Sequence, residues 1–468
     1  MINLFFKTYG CQANVADSAH LQSFLGSLGV GVVESEIDAD LIIINSCAIR
    51  DKAEQKMFSY VGQLADLKRK KPYLRIGVIG CVASYKKDEL FSRFDHINFV
   101  HGSREEIDLL KEYLSNVVES IFSTKSFYEK NPTEFENKVG QDRDIKKILD
   151  LRKSRKSLNL FLKNKFNPQK IEIKQNAFKK SFVNIMTGCN NYCSYCIVPF
   201  VRGIEKSYEM DAILMQVKTE VDSGAKEITL IGQNVNSYCD PKTGANFAAL
   251  LENVAKIPGE FWVRFISPHP KDMSEDVLKI MQQYQDKLCS YIHLPIQSGS
   301  NRVLQAMNRP YTKEHFLKLV DTIRKYLPQA TVSTDIIVGF PGEEENDFLE
   351  TFDVVQKCKF DMIYSFIYSP RRYTKAFAMK DDCPNLVKLE RLEKLQAMSK
   401  KINLENNLKH VGKVLKVLVE SEMENGNLAA RTTGNILVSI NDNKENIGKF
   451  VNVKIIDAHV ANLDGQIV

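Results

Sequence analysis

The stretch "TGCNNYCSYCIVPFVRG", Thr187 to Gly203, sets Cys189, Cys193 and Cys196 at separations of four and three residues, with Tyr195 just before the last of them. A structural zinc ion takes four protein ligands, usually from two short knuckles, and no matching fourth partner lies nearby. Three unrelated core cysteines account poorly for the spacing, because the loop also carries Gly188, Asn190 and Asn191, which suit a tight wrap. A four-iron cluster held by three thiolates is the remaining reading. It leaves one iron open to a small molecule.

The chain around this loop repeats one pattern. "FVNIMTG", "EITLIG", "WVRFIS", "SYIHLPI", "VSTDIIVGF" and "MIYSFIYS" read as six strands, separated by helical stretches such as Glu209 to Val221 and Lys313 to Tyr326. The strands run in turn into Cys189, into Gln233 and Asn234, into His269, into Gln297 and Ser298, into Gly339 and Glu343, and into Arg371. In a β/α barrel the carboxyl-terminal face is where chemistry sits. Six units instead of eight predict a partial (β/α)6, TIM-like barrel open along one side. The C-x3-C-x2-C spacing with its aromatic resembles the signature of the radical S-adenosylmethionine superfamily. That resemblance implies an open iron that chelates the amino and carboxylate groups of S-adenosylmethionine and a 5′-deoxyadenosyl radical as the product of reduction. It also implies cofactor contacts: Tyr195 against the adenine, Gln233 and Asn234 at the methionine amino group, and Gln297, Ser298 and Gly339 beside the ribose and adenine. Ordinary turn chemistry in βα loops is the competing account of any one of these.

The first third also alternates apolar strands with amphipathic stretches, which predicts a doubly wound α/β domain. "NLFFKTYG" leads to Cys11, "DLIIINS" to Cys47 and "RIGVIG" to Cys81; "INFVHG" is a fourth strand, and helices are expected over Asp17 to Leu28, Asp51 to Lys70 and Arg104 to Leu114. A cysteine after a strand is usually a small apolar filler. Three of them ending parallel strands would reach one rim of the sheet, which favours a second three-cysteine cluster. Cys239, Cys289, Cys358 and Cys383 have no such company and read as structural.

A chain of 468 residues predicts two to four domains, and 44% hydrophobic with 26% charged residues is a globular composition. The opening residues lack the features of an export signal, and no span of about 18 apolar residues occurs, so a membrane partner is not expected. Ten cysteines without an export signal suit a reducing, cytoplasmic setting. From Lys146 to Lys180 there are twelve Lys or Arg against two acids, in a chain whose net charge is only +6. That run reads either as a solvated linker or as an arm that tracks a phosphate backbone. A helix from Leu386 to Leu408 precedes "VLKVLVESE", "NLAART", "NILVSI" and "KFVNVKIID", the pattern of a small all-β barrel. The expected domains are 1–124, a linker or insertion at 125–180, a barrel at 181–408, and a small barrel at 409–468.

"KTYGCQANVADS", "NSCAIRDKAEQK", "LIGQNVNSY", "ISPHPKD", "HLPIQSGS", "MNRPYT" and "DIIVGFPGE" closely resemble the tRNA methylthiotransferases, and the last barrel resembles a TRAM domain. The resemblance spans nearly the whole chain. It implies an auxiliary 4Fe–4S cluster on Cys11, Cys47 and Cys81 and a radical 4Fe–4S cluster on Cys189, Cys193 and Cys196. S-adenosylmethionine would serve as both methyl donor and radical source. The implied reaction puts a methylthio group on carbon 2 of N6-isopentenyladenosine at position 37, in a tRNA anticodon stem-loop. A sulfur donor and an electron donor are needed, and a monomer is expected. The chain departs from the family in its Lys-rich connector, in "YSPRRYTKAFAM", and at Ser207-Tyr208, where Ser-Arg is common; an arginine beside the first cluster would then come from elsewhere. RNA contacts are expected from Lys400 to Lys409, Arg431 and the Lys146–Lys180 run. Two other readings compete: a relative that modifies a ribosomal-protein aspartate, and a noncatalytic iron–sulfur RNA-binding protein.

Overall fold

The structure is a computed structural model and describes residues 2–48, 51–105, 107–130 and 179–468. The chain forms two compact units, one of Met1–Ile173 with Phe200–Gly203 and the other of Lys174–Pro199 with Ile204–Val468. The Lys-rich run up to residue 178 lies outside the described residues, whereas Lys179 and Lys180 open a strand.

In the first unit, β1 (Ile2–Tyr9), β2 (Val30–Val32), β3 (Leu41–Ser46), β4 (Arg75–Gly80) and β5 (Phe99–Gly102) form one sheet in the order β2-β1-β3-β4-β5. Every pairing is parallel. All six residues of β3 are buried, as a central strand covered on both faces requires. Leu41 and Ile43 pack into a cluster with Leu21, Leu25, Leu110 and Leu114 from helices Gln12–Ser27 and Ile107–Lys130. Ile42 and Ile44 are fully buried and, by strand alternation, face the other way. The doubly wound expectation holds. Strand order reverses between β1 and β3, the place where such sheets open a crevice outside their carboxyl ends.

The second unit carries β6 (Lys179–Asn184), a short antiparallel pair of β7 (Met186–Thr187) and β8 (Lys206–Ser207), then β9 (Ala225–Ile231), β10 (Trp262–Phe265), β11 (Tyr291–His293), β12 (Thr331–Val338) and β13 (Met362–Ile367). Sheets β10-β9-β6 and β11-β12-β13 are each parallel, and a parallel bridge from Val263 to Leu288 carries the chain across from β10 toward β11. Six parallel strands with intervening helices make the partial barrel. Its core runs from Val183 and Leu230 through Phe247 and Phe316 to Phe360.

Helix Asn385–Leu408 leads to β14 (Val414–Glu422), β15 (Leu428–Thr432), β16 (Leu437–Ile440), β17 (Phe450–Ala458) and β18 (Asn462–Ile467), a closed barrel in the order β14-β15-β16-β18-β17. This barrel packs on the amino-terminal ends of the parallel strands. The Trp262 and Phe450 rings lie 4.9 Å apart, and Arg264 bridges Glu227 at 2.7 Å to the carbonyls of Thr432 and Thr433 at 2.8 and 2.7 Å. The carboxyl-terminal ends are left for the cysteine loop.

Candidate functional site

In the first unit, strand register does the assembling. Tyr9 pairs with Ser46, and Ser46 with Gly80, so Cys47 and Cys81 follow their strands at once while Cys11 follows two residues on. The Cys47 amide donates to the Tyr9 carbonyl at 2.8 Å, which keeps the row in step past the last ladder rung. Gly80 sits at φ +97°, and a Cβ there would stand 2.2 Å from Asn45 Oδ1, so no other residue can carry the chain from β4 into helix Cys81–Arg93. Beneath Cys11, Asn14 Nδ2 donates to Asn45 Oδ1 at 2.8 Å, and Asn45 Nδ2 donates to the Asn14 carbonyl and to Ser18 Oγ. Asn14 Oδ1 accepts from the Cys11 amide and thiol, both at 3.4 Å. A hydrogen bond with Cys47 lowers the Cys11 pKa to about 5, against the upward push of burial. Arg202 stands beside Cys11 and Cys81, close enough for their charge to act on it, while its guanidinium is paired to Asp17 at 2.9 Å. The three thiols therefore meet at one rim, with a cation among them.

In the second unit, Cys189, Cys193 and Cys196 lie on one loop braced by hydrogen bonds. Gly188, at φ +77°, donates its amide to Gln233 Oε1 at 2.6 Å. Ser194 donates through its amide to the Met307 carbonyl and through its hydroxyl to the Ala306 carbonyl, both at 2.9 Å. Asn308, in the left-handed region at φ +57°, donates to the carbonyls of Asn191 and Tyr192. Arg309 Nη1 donates to Cys193 Sγ at 3.5 Å. Four consecutive residues, Ala306 to Arg309, thus clasp the loop. Burial pushes Cys196 up to about 12 and raises Cys189 as well, with mutual repulsion among the thiols adding to both.

The residues expected beside the cofactor divide into two kinds. Tyr195 packs with Phe340 and Tyr368, and burial raises its hydroxyl well above the ordinary value. Gln233 is occupied by Gly188, Ser298 Oγ by Thr351 and the Ser300 amide, and the Gly339 amide by Glu343 Oε1. Gln297, at φ +74°, exchanges backbone hydrogen bonds with Asp335 and Ile337. Asn234 differs: its Nδ2 donates to Asp272 at 2.7 Å, but its Oδ1 is buried with no partner among the described residues. His269 Nε2 is also buried with no partner among the described residues, and burial beside Arg309 and Lys271 holds this imidazole neutral, near pKa 2. Two orphaned polar atoms at strand ends fit a polar ligand that supplies the missing partners.

The donor sets fit iron–sulfur clusters. Among the described residues no three His, Cys, Asp or Glu side chains gather tightly enough for a single metal ion. Ligands of a four-iron cluster stand further apart, because each thiolate binds a different iron. Of the other cysteines, Cys289 and Cys358 are buried, Cys383 is half-buried and Cys239 is exposed. No described helix is long and apolar enough to cross a membrane.

Family models match in three places: the Radical SAM superfamily over residues 183–355, the Uncharacterized protein family UPF0004 over residues 3–102, and the TRAM domain over residues 408–468. The chain is 40% identical over 469 residues to the tRNA-2-methylthio-N(6)-dimethylallyladenosine synthase of Carboxydothermus hydrogenoformans, covering 99% of both chains. It is 38% identical to the synthase of that name from Fusobacterium nucleatum, covering 98% of each. The chain belongs to the tRNA-2-methylthio-N(6)-dimethylallyladenosine synthase family. Among solved structures, the radical S-adenosylmethionine methyltransferase TsrM from Kitasatospora setae superposes with a TM-score of 0.54 at 12% identity, covering 81% of this chain and 77% of that one, which is a likeness of fold.

For this member of the synthase family, sequence reasoning overlooked the residues around the thiols more than the thiols themselves. Arg202 sits inside the opening motif and Arg309 inside "MNRPYT", yet neither has a local signal for its partner. Arg309 supplies an arginine beside the loop that Ser207-Tyr208 does not. Asn308 was the findable one, since an asparagine ahead of Arg-Pro favours a left-handed turn. In the small barrel, Arg431, an expected RNA contact, is paired with Glu420 at 3.1 Å, and Phe450 is packed on Trp262 under Lys416.

Proposed function

We propose that this chain is a radical S-adenosylmethionine tRNA methylthiotransferase that converts N6-isopentenyladenosine at position 37 of a tRNA anticodon stem-loop to its 2-methylthio derivative. The observation that carries this reading is the end-to-end similarity to synthases of that reaction, 40% over 469 residues. We assign Cys189, Cys193 and Cys196 to the radical 4Fe–4S cluster and Cys11, Cys47 and Cys81 to the auxiliary one. We divide the chain into an auxiliary-cluster domain at 1–124, a connector at 125–180, the radical domain at 181–408 and the TRAM domain at 409–468, although helix Ile107–Lys130 runs past the first boundary.

When bound, the two clusters and S-adenosylmethionine supply a radical able to activate an unreactive ring carbon and a site from which a methylated sulfur is delivered. The chain's own residues hold and tune those groups. Gln233, Ser194 and Asn308 fix the backbone of the cysteine loop, so its thiols are placed before any ligand arrives. Asn234 Oδ1 can accept from the amino group of the methionine moiety, and His269 Nε2, which carries the ring proton because Nδ1 accepts from the Lys271 amide, offers a donor. Tyr195, packed on apolar neighbours, carries an aromatic ring of a kind that stacks on adenine. At the other trio, Arg202 offsets thiolate charge while Asp17 holds the guanidinium in place. A tRNA substrate puts the enzyme in the cytoplasm, and we expect it to act as a monomer.

The test is anaerobic reconstitution with iron and sulfide, followed by nucleoside mass spectrometry of tRNA carrying N6-isopentenyladenosine after incubation with S-adenosylmethionine and dithionite. The expected product is 2-methylthio-N6-isopentenyladenosine. Unchanged tRNA together with a methylthiolated ribosomal-protein aspartate would favour the protein-modifying relative. Tight tRNA binding with S-adenosylmethionine left intact would make this a noncatalytic RNA-binding protein.

A further inference from the structure

We propose that Arg309 is the resident counter-charge of the thiolate cluster on Cys189, Cys193 and Cys196, and that it sets how readily this centre accepts an electron. The inference rests on the cluster assignment made above.

Arg309 is 7% exposed, and its donors go to the Tyr311 hydroxyl from Nε at 2.7 Å, to the Pro295 carbonyl from Nη2 at 2.5 Å, and to Cys193 Sγ from Nη1 at 3.5 Å. Among the described residues no carboxylate pairs with it. Other arginines with equally buried side chains are treated differently by the fold. Arg264 pairs with Glu227 at 2.7 Å, Arg391 with Glu343 at 2.7 Å, and Arg202 with Asp17 at 2.9 Å. An isolated buried charge is costly, and breaking a buried pair to leave one is among the larger destabilising changes known. A guanidinium cannot escape by losing its proton. The compensating anion is therefore not a carboxylate of the described residues.

Three thiolates provide it once iron is bound. Together they outweigh the oxidised iron–sulfur core by one negative charge, and a single electron from a low-potential donor adds another with no proton taken up. Arg309 touches one of the ligand sulfurs, in a site dry enough for the interaction to be strong. Its attraction grows with each negative charge, so it favours the reduced state over the oxidised one. Hydrogen bonds to ligand sulfur act in the same direction. Arg309 is a positioning residue in this account: its surroundings hold it in place before loading. Tyr311 Oη has its own acceptors in the Pro295 and Ile296 carbonyls, at 3.2 and 3.1 Å, so that scaffold does not depend on the guanidinium.

The test compares wild type, R309K, R309Q and R309M in the full chain. The cluster of interest is identified as the one whose electron paramagnetic resonance signal changes when S-adenosylmethionine is added, and its midpoint potential is read by dithionite titration. R309M and R309Q should disfavour reduction at least tenfold, a fall of about 59 mV or more for one electron, while R309K stays close to wild type. The second readout is thermal unfolding. Metal-free R309M should unfold at the same temperature as metal-free wild type or higher, because an uncompensated charge is gone, whereas loaded R309M should unfold lower. A merely structural arginine would lower both. Equal potentials in wild type and R309M, or a metal-free R309M that is less stable or fails to fold, overturn this inference alone. A wild-type chain that takes up no iron on Cys189, Cys193 and Cys196 sinks the functional reading and this inference with it.

Discussion

The two thiol trios are built on opposite plans. In the first unit the cysteines are 36 and 34 positions apart in the chain and are gathered by parallel strand register, so every rung between β1, β3 and β4 helps hold the site. In the second they share one loop, and four residues from Ala306 to Arg309 clamp it from outside. Their electrostatics differ in the same sense. Cys11 is eased toward the thiolate by Cys47, and Arg202 already has Asp17, so charge near that trio is largely balanced before metal arrives. Cys196 is pushed up to about 12 by burial, and among the described residues no carboxylate pairs with Arg309, so with the cluster proposed above, balance at the second trio comes only on loading. A sheet-assembled site is fixed by global folding, whereas a loop site is tuned by its immediate neighbours.

The largest effect should come from removing a ligand on either side. Cys193→Ala and Cys47→Ala should each reduce iron from about eight to about four per chain and cut methylthio product by about a hundredfold or more. The variants should part company on S-adenosylmethionine. Cys193→Ala abolishes its reductive cleavage, while Cys47→Ala leaves cleavage to 5′-deoxyadenosine largely intact. Product formation by Cys47→Ala at the wild-type rate would remove the auxiliary site from the reaction.

The next contrast concerns what supports each trio. Asn14→Ala leaves Asn45 Oδ1 buried without its donor and frees the Cys11 amide, at a cost of about 2–3 kcal/mol in chemical denaturation. Because register links the strands, iron uptake at Cys47 and Cys81 should suffer along with Cys11. Asn308→Ala loses two hydrogen bonds to loop carbonyls and strains a left-handed residue, for about 2 kcal/mol. Asn308→Gly keeps the backbone relaxed and should recover about half of that. If Asn308→Gly matches Asn308→Ala in stability, backbone strain contributes nothing at this position.

Much of this was legible in the chain, and the misses have physical causes. The barrel strands announced themselves as runs of β-branched and aromatic residues, as in the buried β9 and β10, and β13 did so although it is half exposed. Strand β2 escaped because it is three residues long and centred on Gly31. The first helix was expected to begin at Asp17 but begins at Gln12, since Asn14 closes onto the Cys11 amide in place of an ordinary Ser, Thr or Asp cap. The helix expected over Arg104 to Leu114 instead runs Ile107–Lys130, and its apolar residues Val117, Val118 and Ile121 continue the stripe. The cysteines assigned above to clusters could be picked out in two ways, Cys189, Cys193 and Cys196 by their spacing and Cys11, Cys47 and Cys81 by their position after strands. Arg202 and Arg309 could not, because a buried cation is identified by partners that lie 185 and 116 positions away.

The smallest predicted effect isolates the neighbourhood of the loop trio through pH. His269 is packed among Arg309, Lys271 and Tyr311, and burial with those two cations lowers its pKa to about 2, from an ordinary value near 6.5. The unfolded chain therefore binds a proton at this residue more readily than the folded one does. Stability from His269 is complete above about pH 6.5 and is lost as pH falls below it, at no more than about 1.4 kcal/mol per pH unit. Urea unfolding followed through Trp262, the single tryptophan, reports on this unit. Between pH 7.5 and 5.5 the wild-type chain should lose about 1.4 kcal/mol that His269→Asn does not lose, with Asn retained to accept from the Lys271 amide as His269 Nδ1 does at 3.3 Å. Parallel pH profiles for the two proteins would mean that this imidazole has room to take a proton in the folded state, and that the interior around Arg309 is wetter than its burial implies.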